Sequence, residues 1–355
     1  MSEKEKESGA LVESESAQKK SNTGKYLLYA GLAAAGAAAV VTAADVIICR
    51  SLCRRSGISS LIRKAGMREK TERKEGSEIR EEAEKRKQAL MASGQVFRVQ
   101  KPLMRTNIRS FDGTSLAGFY REDTSNHRWM LGFHGYNSDH EVLIDNAVAP
   151  YFDSLGYNIL LPDMRANGES GGKYTGAGWL EGMDVVYWVR WVVGRDPDAE
   201  IVLFGQSLGA ASVLMAGGSR RPCMKRVKAI IEDSGYASVW TMFKDCTEDI
   251  LHMPKFPFIY VADIYSRIHL GFSARKADIG KRVTASSFPT LFIHGEDDRV
   301  VDPINVRTLY DCKVEGYKEM RSVPCAGHVS SVYVLGDEYY GMISSFLKRA
   351  EEYRS

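Results

Sequence analysis

The chain has 355 residues, of which 44% are hydrophobic, 26% are charged and 10% are aromatic. This composition is typical of a folded protein and excludes a mainly disordered chain, a collagen-like chain and a polytopic membrane protein. With 48 basic and 45 acidic residues the charge is too balanced to indicate a nucleic-acid partner, and six scattered cysteines predict reduced thiols rather than a disulfide framework.

The N-terminal segment divides into a polar and an apolar part. Residues 1–25 are rich in Ser, Glu and Lys, and we expect them to be disordered because they cannot bury enough apolar surface. Residues 26–49 carry a single charge, at Asp45, and a helix of this length covers the ~30 Å of a bilayer's hydrocarbon, which predicts one transmembrane helix. Two alternatives stay open: a soluble Ala-rich helix, and a signal peptide cleaved after the small residues of 41–43.

The charges around this apolar segment predict its orientation and a charged linker on its C-terminal side. More Lys and Arg residues lie after the segment than before it, so we expect the large C-terminal part to lie on the cytoplasmic side. Residues 50–95 are strongly charged, and Glu78, Glu82 and Arg86 recur at helical spacing. We therefore expect a solvated, charged helical linker at 50–95 and a folded domain at 96–355.

Short apolar runs alternate with amphipathic stretches in residues 96–355. Alternation of this kind predicts an α/β fold with a mostly parallel sheet flanked by helices, in which ligands bind at the carboxyl ends of the strands. Three earlier runs, at 96–101, 107–111 and 116–121, are expected to be antiparallel edge strands. The predicted parallel strands are 129–133, 157–161, 201–204, 227–231 and 290–293, and helices are expected near 140–155, 178–193, 207–217 and 303–313.

The segment IVLFGQSLGAAS at 201–212 indicates a catalytic nucleophile. An apolar strand runs directly into a Gly-x-Ser-x-Gly turn, and a helix of small residues comes next. A nucleophile lifted from a sheet needs a tight, strained turn, in which side chains at Gly205 and Gly209 would collide with neighbouring backbone. Ser207 then lies at a helix N-terminus, which favours an anionic intermediate. We predict that Ser207 is the nucleophile.

A serine hydroxyl needs a base, and the base needs an acid. Of the seven histidines, His328 lies in a loop after the β-prone run 320–323 and before the C-terminal helix, so we predict that it is the base. The strand at 290–293 is followed by an acidic loop with Asp297 and Asp298, of which we choose Asp298 as the acid. The order Ser207, Asp298, His328 is the one expected for this kind of turn.

Backbone amides near the nucleophile are expected to stabilise the oxyanion. The strand at 129–133 ends in His134-Gly135-Tyr136-Asn137, and the backbone N–H of Tyr136 is one candidate donor. The backbone N–H of Leu208 is the other. His134 is expected to shape this loop rather than to react.

These motifs resemble those of the α/β-hydrolase superfamily over essentially all of residues 96–355. The resemblance rests on GQSLG, HGYN, HGEDDRVV and AGH, and on the segment 162–172, which is similar to the family's D-x-R-G-x-G-x-S loop except that Ala166 replaces its first glycine. With the apolar N-terminal segment, the chain is similar to membrane-anchored bacterial hydrolases of the serine aminopeptidase and monoacylglycerol-lipase-like branch. The resemblance implies a sheet of about eight strands, assigns the acid to Asp298, and places a lid after the sixth strand.

Residues 236–284 would form that lid. This insert carries many large apolar side chains, and Pro254 and Pro257 are expected to break it into short helices. A loop of this length is expected to have a role, commonly as an active-site lid, and its apolar side chains suggest an acyl-binding cleft.

We expect a serine hydrolase that cleaves carboxylic esters of a small-molecule or lipid-like acyl substrate, without a metal or organic cofactor. One alternative is a peptide or amide hydrolase, whose acidic pocket for a substrate ammonium group could draw on Glu169, Glu232 and Asp233. The other is a membrane-tethered, non-catalytic binding protein on the same scaffold. The sequence leaves the oligomeric state and the acyl chain length open.

Overall fold

A computed structural model describes residues 76–245, 247–248 and 255–354 of the chain. The predicted disordered segment 1–25 and the predicted membrane helix 26–49 lie outside these described residues, as does the linker up to residue 75. In the described part of the chain, no helix combines the length and the apolar character needed to cross a membrane.

Eight strands form one mostly parallel sheet in the order β1-β2-β4-β3-β5-β6-β7-β8. β2 is antiparallel to both β1 and β4, whereas β3 to β8 run parallel. The eight-stranded sheet and its antiparallel edge confirm the predicted fold class. The strands are β1 (Met104–Arg109), β2 (Ser115–Arg121), β3 (Arg128–Phe133), β4 (Asn158–Pro162), β5 (Glu200–Gln206), β6 (Val227–Asp233), β7 (Thr290–Gly295) and β8 (Lys318–Val323).

Helices cover both faces of this sheet, and a short 3₁₀ helix (Pro222–Arg226) precedes β6. Buried strand residues alternate between the faces, as the two-residue repeat of a strand requires. In β5, for example, Leu203 packs in one cluster while Val202 and Phe204 pack in the other. The helices are α1 (Ser77–Gln100), α2 (Val142–Asp145), α3 (Val148–Ser154), α4 (Trp179–Arg195), α5 (Leu208–Gly217), α6 (Val239–Asp245), α7 (Lys255–His269), α8 (Ile279–Thr284), α9 (Ile304–Cys312), α10 (Ser331–Leu335) and α11 (Asp337–Arg354).

Each face has its own helices. Residues of α4, α5, α8 and α9 pack in the first cluster, and residues of α2, α3, α10 and α11 pack in the second. All ten residues of α5 are buried, because this helix runs from the Gly-x-Ser-x-Gly turn directly into the core. The sheet therefore holds this turn between two apolar layers.

Helix α1 corrects two expectations about the start of the domain. The boundary predicted at residue 96 falls inside this helix, which ends at Gln100, so the predicted strand 96–101 is wrong. The β-prone residues around Phe97 adopt a helix because Phe97 packs against the second cluster, and tertiary packing outweighs local propensity. The described part of the linker is also not a free spacer: Gly94 lies against the α2 backbone, and Arg98 binds Asp145 at 2.6 Å.

The insert at 236–284 leaves the sheet after β6 and returns at β7, and its described residues include the helices α6, α7 and α8. Phe256 has extended backbone angles (φ −97°, ψ 133°) within α7. It precedes Pro257, and the residue before a proline is driven out of the helical region. The break that the sequence predicted from Pro257 therefore lies at Phe256, while Pro254 is outside the described residues.

Candidate active site

Ser207 occupies the tight turn between β5 and α5. Its backbone angles (φ 54°, ψ −114°) are strained for a residue with a side chain, and its N–H donates to the carbonyl of Asp233 at 2.8 Å. A Cβ at Gly205 would lie 2.3 Å from the carbonyl oxygen of Gly209, and a Cβ at Gly209 would lie 2.1 Å from that of Phe133. The expected reason for both glycines is thus confirmed: neither position has room for a side chain.

The structure brings Ser207, His328 and Asp298 together in one chain of hydrogen bonds. His328 Nε2 lies 2.8 Å from Ser207 Oγ, and His328 Nδ1 lies 2.7 Å from Asp298 Oδ2. The three side chains come after β5, β8 and β7, whose carboxyl ends meet at one edge of the sheet. Residues that are far apart in the sequence therefore meet within hydrogen-bonding distance.

Asp298 is held as an ionised acceptor. Its Oδ1 accepts hydrogen bonds from the backbone N–H groups of Val300 and Val301 at 2.8 and 2.9 Å. Burial alone would raise the pKa of Asp298, but the neighbouring imidazole of His328 and hydrogen bonds from His294 and His328 hold this pKa well below its ordinary value. Because an ionised carboxylate only accepts, His328 donates through Nδ1, which leaves Nε2 free to accept the Ser207 proton.

The adjacent Asp297 points to a different partner. Its Oδ2 accepts from Arg80 Nη2 of α1 at 3.1 Å, and its backbone N–H donates to the carbonyl of Ala326. Of the two neighbouring carboxylates, Asp298 is the one that is hydrogen-bonded to His328. Asp297 instead links the acid loop to α1 and to the loop that carries His328.

The loop after β3 lies beside Ser207, as the oxyanion prediction requires. A Cβ at Gly135 would lie 3.5 Å from Ser207 Cβ, which brings the start of this loop to the nucleophile, and Tyr136 is the next residue. Leu208 is the first residue of α5, directly after Ser207. The amide of Leu208 therefore directly follows the serine at the N-terminus of a buried helix. The amide of Tyr136 directly follows Gly135, which lies against the serine.

His134 has the structural role that the sequence predicted. It is fully buried, its Nε2 accepts from the backbone N–H of Met164 at 2.9 Å, and its Nδ1 lies 2.7 Å from the carbonyl of Gly135. Burial lowers the pKa of His134, so the ring is neutral and donates through Nδ1. This imidazole ties the loop after β3 to the 162–172 loop, in which Ala166 adopts a left-handed φ of 59° where the related loops have glycine.

Sequence reasoning missed His294, which lies four residues before Asp298. Its Nε2 is 3.2 Å from Asp298 Oδ2 and 3.0 Å from the carbonyl of Val301, so Nε2 carries a proton and donates. Asp298 Oδ2 thus lies within hydrogen-bonding distance of two imidazoles, those of His294 and His328. The only sequence signal was the His-Gly pair that opens the acidic loop.

The acidic residues considered for an ammonium pocket do not form one. Glu232 and Asp233 are completely buried, where Glu232 accepts from the N–H of Gly235 and Asp233 accepts from the hydroxyl of Tyr339. Glu169 forms an exposed ion pair with Arg105. Glu232 and Asp233 are therefore not available to bind a substrate ammonium group, and the Glu169 carboxylate is paired with Arg105.

The arrangement can carry out nucleophilic acyl transfer. A hydroxyl, an oriented imidazole and an ionised carboxylate form the sequence of groups that such chemistry requires, next to a helix N-terminus. Within the described ranges, no cluster of three or more His, Cys, Asp or Glu side chains is arranged to hold a metal ion.

The contact at Gly209 yields a first prediction. Gly209→Ala should cost more than about 2 kcal/mol of the free energy of unfolding, because its Cβ would press on the Phe133 carbonyl. Gly194→Ala is the matched control, since a Cβ there meets nothing within 4 Å. Urea unfolding of both variants checks this, and two variants of equal stability would contradict the close approach.

The buried carboxyl of Glu232 yields a second prediction. Burial raises the pKa of Glu232 to about 8 from an ordinary 4.5, against the opposing charge of His294. Between these pH values the carboxyl is protonated in the folded state and ionised in the unfolded state. The free energy of unfolding therefore falls by up to about 1.4 kcal/mol per pH unit as the pH rises.

Glu232→Gln removes that loss, so its stability relative to the wild type should increase as the pH rises from 5 to 8. Chemical unfolding at several pH values measures this difference. Glu351→Gln, at an exposed position, controls for the general effect of removing one carboxylate. A difference between Glu232→Gln and the wild type that stays flat over this range would show that the buried carboxyl is ionised throughout.

Comparison with known proteins supports the same fold. No family model matches the chain. The chain is 26% identical over 241 residues to the uncharacterized protein YqkD of Bacillus subtilis, a match that covers 68% of this chain and 77% of that protein. It is 27% identical over 194 residues to the lysophosphatidylserine lipase ABHD12 of Macaca fascicularis, which covers 52% of this chain and 45% of the lipase.

Among solved structures, the chain is similar to the esterase Pf2001 of Pyrococcus furiosus. The TM-score is 0.55 at 24% identity, and the match covers 70% of this chain and 92% of the esterase. At this identity the likeness shows the shared fold. The strand order, the strained serine turn and these relatives lead to one conclusion: the chain has the α/β-hydrolase fold and is similar to members of that superfamily.

Proposed function

We propose that this protein is a serine hydrolase that cleaves carboxylic esters of lipid-like acyl groups. The observation that carries the proposal is the continuous chain of hydrogen bonds from Ser207 through His328 to Asp298. A serine at a strained turn with an oriented imidazole at 2.8 Å has no evident structural need for that geometry. It is the geometry that an activated nucleophile requires.

In the first half of the reaction, His328 Nε2 accepts the proton of Ser207 as Oγ attacks the acyl carbonyl carbon. The tetrahedral intermediate collapses when His328 returns this proton to the leaving alkoxide, which leaves the acyl group on Ser207 Oγ. In the second half, water loses a proton to His328 and attacks the acyl carbonyl carbon; the acyl–Oγ bond then breaks, His328 returns the proton to Ser207 Oγ, and the carboxylic acid leaves. Asp298 keeps the imidazole in the tautomer that accepts at Nε2 and stabilises the imidazolium.

The negative charge on the carbonyl oxygen needs donors that are already in place. The backbone N–H groups of Tyr136 and Leu208 are the proposed pair. Leu208 opens α5, so the positive end of that helix dipole adds to the stabilisation. Since His134 ties the loop of Tyr136 to the neighbouring 162–172 loop, little reorganisation is needed when the charge develops.

Ester cleavage is favoured over peptide cleavage by the positions of the acidic residues. An aminopeptidase needs a carboxylate that faces the substrate ammonium, whereas Glu232 and Asp233 are buried with internal partners. The relationship to a lysophosphatidylserine lipase also supports an acyl ester of a lipid. The membrane helix at 26–49 and a cytoplasmic catalytic domain stay predictions from the sequence; they would bring the domain close to such substrates.

Ser207→Ala tests the proposal most simply. Removing the hydroxyl should reduce hydrolysis of p-nitrophenyl esters by at least about 10³-fold, because no acyl-enzyme can form, while the thermal unfolding temperature changes little.

The wild-type enzyme should also hydrolyse these esters faster than aminoacyl p-nitroanilides. Ester hydrolysis that survives in the variant would contradict the role of Ser207, and a wild-type protein inert to all acyl substrates would favour the binding-protein alternative.

The two adjacent aspartates provide a matched pair. Asp298→Asn should lower kcat by about 10³–10⁴-fold, since an amide can donate to His328 and stabilise the wrong tautomer. Asp297→Asn should leave kcat within a few-fold of the wild type, because its carboxylate binds Arg80 rather than His328. Steady-state kinetics on one ester compares them. Equal losses, or a larger loss for Asp297→Asn, would mean that the acid is misassigned.

A further inference from the structure

Helix α7 of the insert exposes an apolar stripe. Phe256, Tyr260, Ile264 and Ile268 recur every four residues, and their exposed fractions are 75%, 44%, 54% and 70%. Tyr260, Ile264 and Ile268 lie on one face of the helix because they are four residues apart, and the Phe256 ring, at the break in α7, lies 5.9 Å from the Tyr260 ring. We call these four side chains the lid stripe. Exposed apolar surface that is contiguous, rather than scattered, marks a surface that contacts something.

The opposite face of α7 is buried and partly polar. Ile259 and Ala262 are buried there, but so are Asp263 and Ser266. A helix on the surface of a soluble domain normally turns its apolar face inward and its polar face to water. In α7 the exposed face is at least as apolar as the buried one, and the structure stabilises this arrangement by bonding Asp263 internally to Ser273 and to the backbone of Arg275.

Aromatic and cationic groups flank the stripe. The Arg275 guanidinium lies 5.3 Å from the ring centre of Trp240 and 5.7 Å from that of Tyr260. Trp240 and Tyr260 also contact each other edge to face. Trp, Tyr and Arg are the side chains that favour the boundary between lipid headgroups and acyl chains, because each has an apolar body and a polar end.

The insert carries a small excess of positive charge, which lies in its second part. Residues 236–284 contain seven Lys and Arg residues and five acidic residues, and six of the basic residues but only two of the acidic ones fall in 255–284. These two acidic side chains, Asp263 and Asp278, bind basic neighbours within this segment, Arg267 and Lys281. Arg275 and Lys276 are exposed beside the stripe. An apolar helix face with a surplus of cations complements a surface of anionic lipid headgroups.

The stripe belongs to the catalytic end of the domain. Its insert leaves β6 just after Asp233, whose carbonyl accepts the Ser207 N–H, and returns into β7, which leads to Asp298. From α7, Tyr265 packs edge to face against Tyr174 of the loop after β4. A lipid surface held by the stripe would therefore lie at the edge of the sheet where the acyl substrate must enter.

We propose that the lid stripe docks the catalytic domain on an anionic phospholipid surface. A second copy of the chain suits the stripe less well, because its excess of positive charge would face the same charge in a symmetric pair. One helix face is also small beside the ~800 Å² that each partner buries in a standard interface. The consequence for substrate selection rests on the proposed function, whereas the docking itself does not.

The test uses the full-length protein and vesicles of brominated phosphatidylglycerol, with phosphatidylcholine vesicles for comparison. Bromine quenches tryptophan fluorescence only at close range, and the difference between the wild type and Trp240→Phe isolates the emission of Trp240. A local probe is required because the apolar segment 26–49 would hold the chain on vesicles irrespective of the insert. We expect quenching of Trp240 that is strong on phosphatidylglycerol and weak on phosphatidylcholine.

Two double variants complete the design. Ile264→Glu with Ile268→Glu should abolish this quenching and lower, at least tenfold, the ratio of hydrolysis of a vesicle-embedded ester to that of a soluble ester. Ile304→Glu with Val314→Glu is the matched control, since these residues are equally exposed, at 60% and 69%, but lie outside the insert. This control should change neither the quenching nor the ratio.

The outcomes separate the occupants of the stripe. Quenching that is absent in the wild type, or retained in Ile264→Glu with Ile268→Glu, overturns the proposal. A dimer in gel filtration that the same variant dissociates would assign the stripe to a second copy and also overturn it. Ser207→Ala should lose esterase activity and keep the quenching in full. A wild-type protein that shows quenching but no esterase activity would refute the proposed hydrolysis and support the docking.

Discussion

The hydrogen bond between Ser207 and His328 is the interaction on which the proposed function depends, and the fold meets a strict geometric requirement to form it. It joins residues 121 positions apart in the sequence, and it forms only if three loops at one edge of the sheet hold their side chains within a few tenths of an ångström. The parallel strands supply that edge. Two apolar layers fix the strands, and the backbone contact of Gly209 with Phe133 sets the height of the serine above them.

Strain and buried charge are concentrated around this hydrogen bond. Ser207 is held at a positive φ, which costs of order 1–3 kcal/mol and persists only because both strand and helix are buried. Asp298 loses its water, and two backbone amides and two imidazoles replace it. Such an arrangement is stable when every member is satisfied. Here Nδ1 of His294 and Oε1 of Glu232 are both buried without a hydrogen-bond partner among the described residues, so this side of the site is less fully paired.

Much of the fold and the relative positions of the candidate site residues were predictable from the sequence, because each element carries a local signal. The strand before Gly205 and the small residues after Ser207 predict the turn, because its steric constraints act among only five neighbouring residues. What the sequence did not reveal depends on distant partners. Phe97 is in a helix because it packs on the domain, His294 was one histidine among seven, and the bond of Asp297 to Arg80 of α1 joins segments with no shared motif. The exposed stripe of α7 was hidden as well, since apolar residues in a sequence suggest burial and only the structure shows which face is turned outward.

The central claim is that His328 makes the hydroxyl of Ser207 reactive. A fluorophosphonate probe measures this directly, because it reacts covalently only with an activated serine, and peptide mass spectrometry locates the adduct. We predict one adduct, on Ser207, and a rate of labelling that falls by at least about 10³-fold in His328→Ala. An adduct on another residue, or equal labelling rates in the wild type and His328→Ala, would contradict the account.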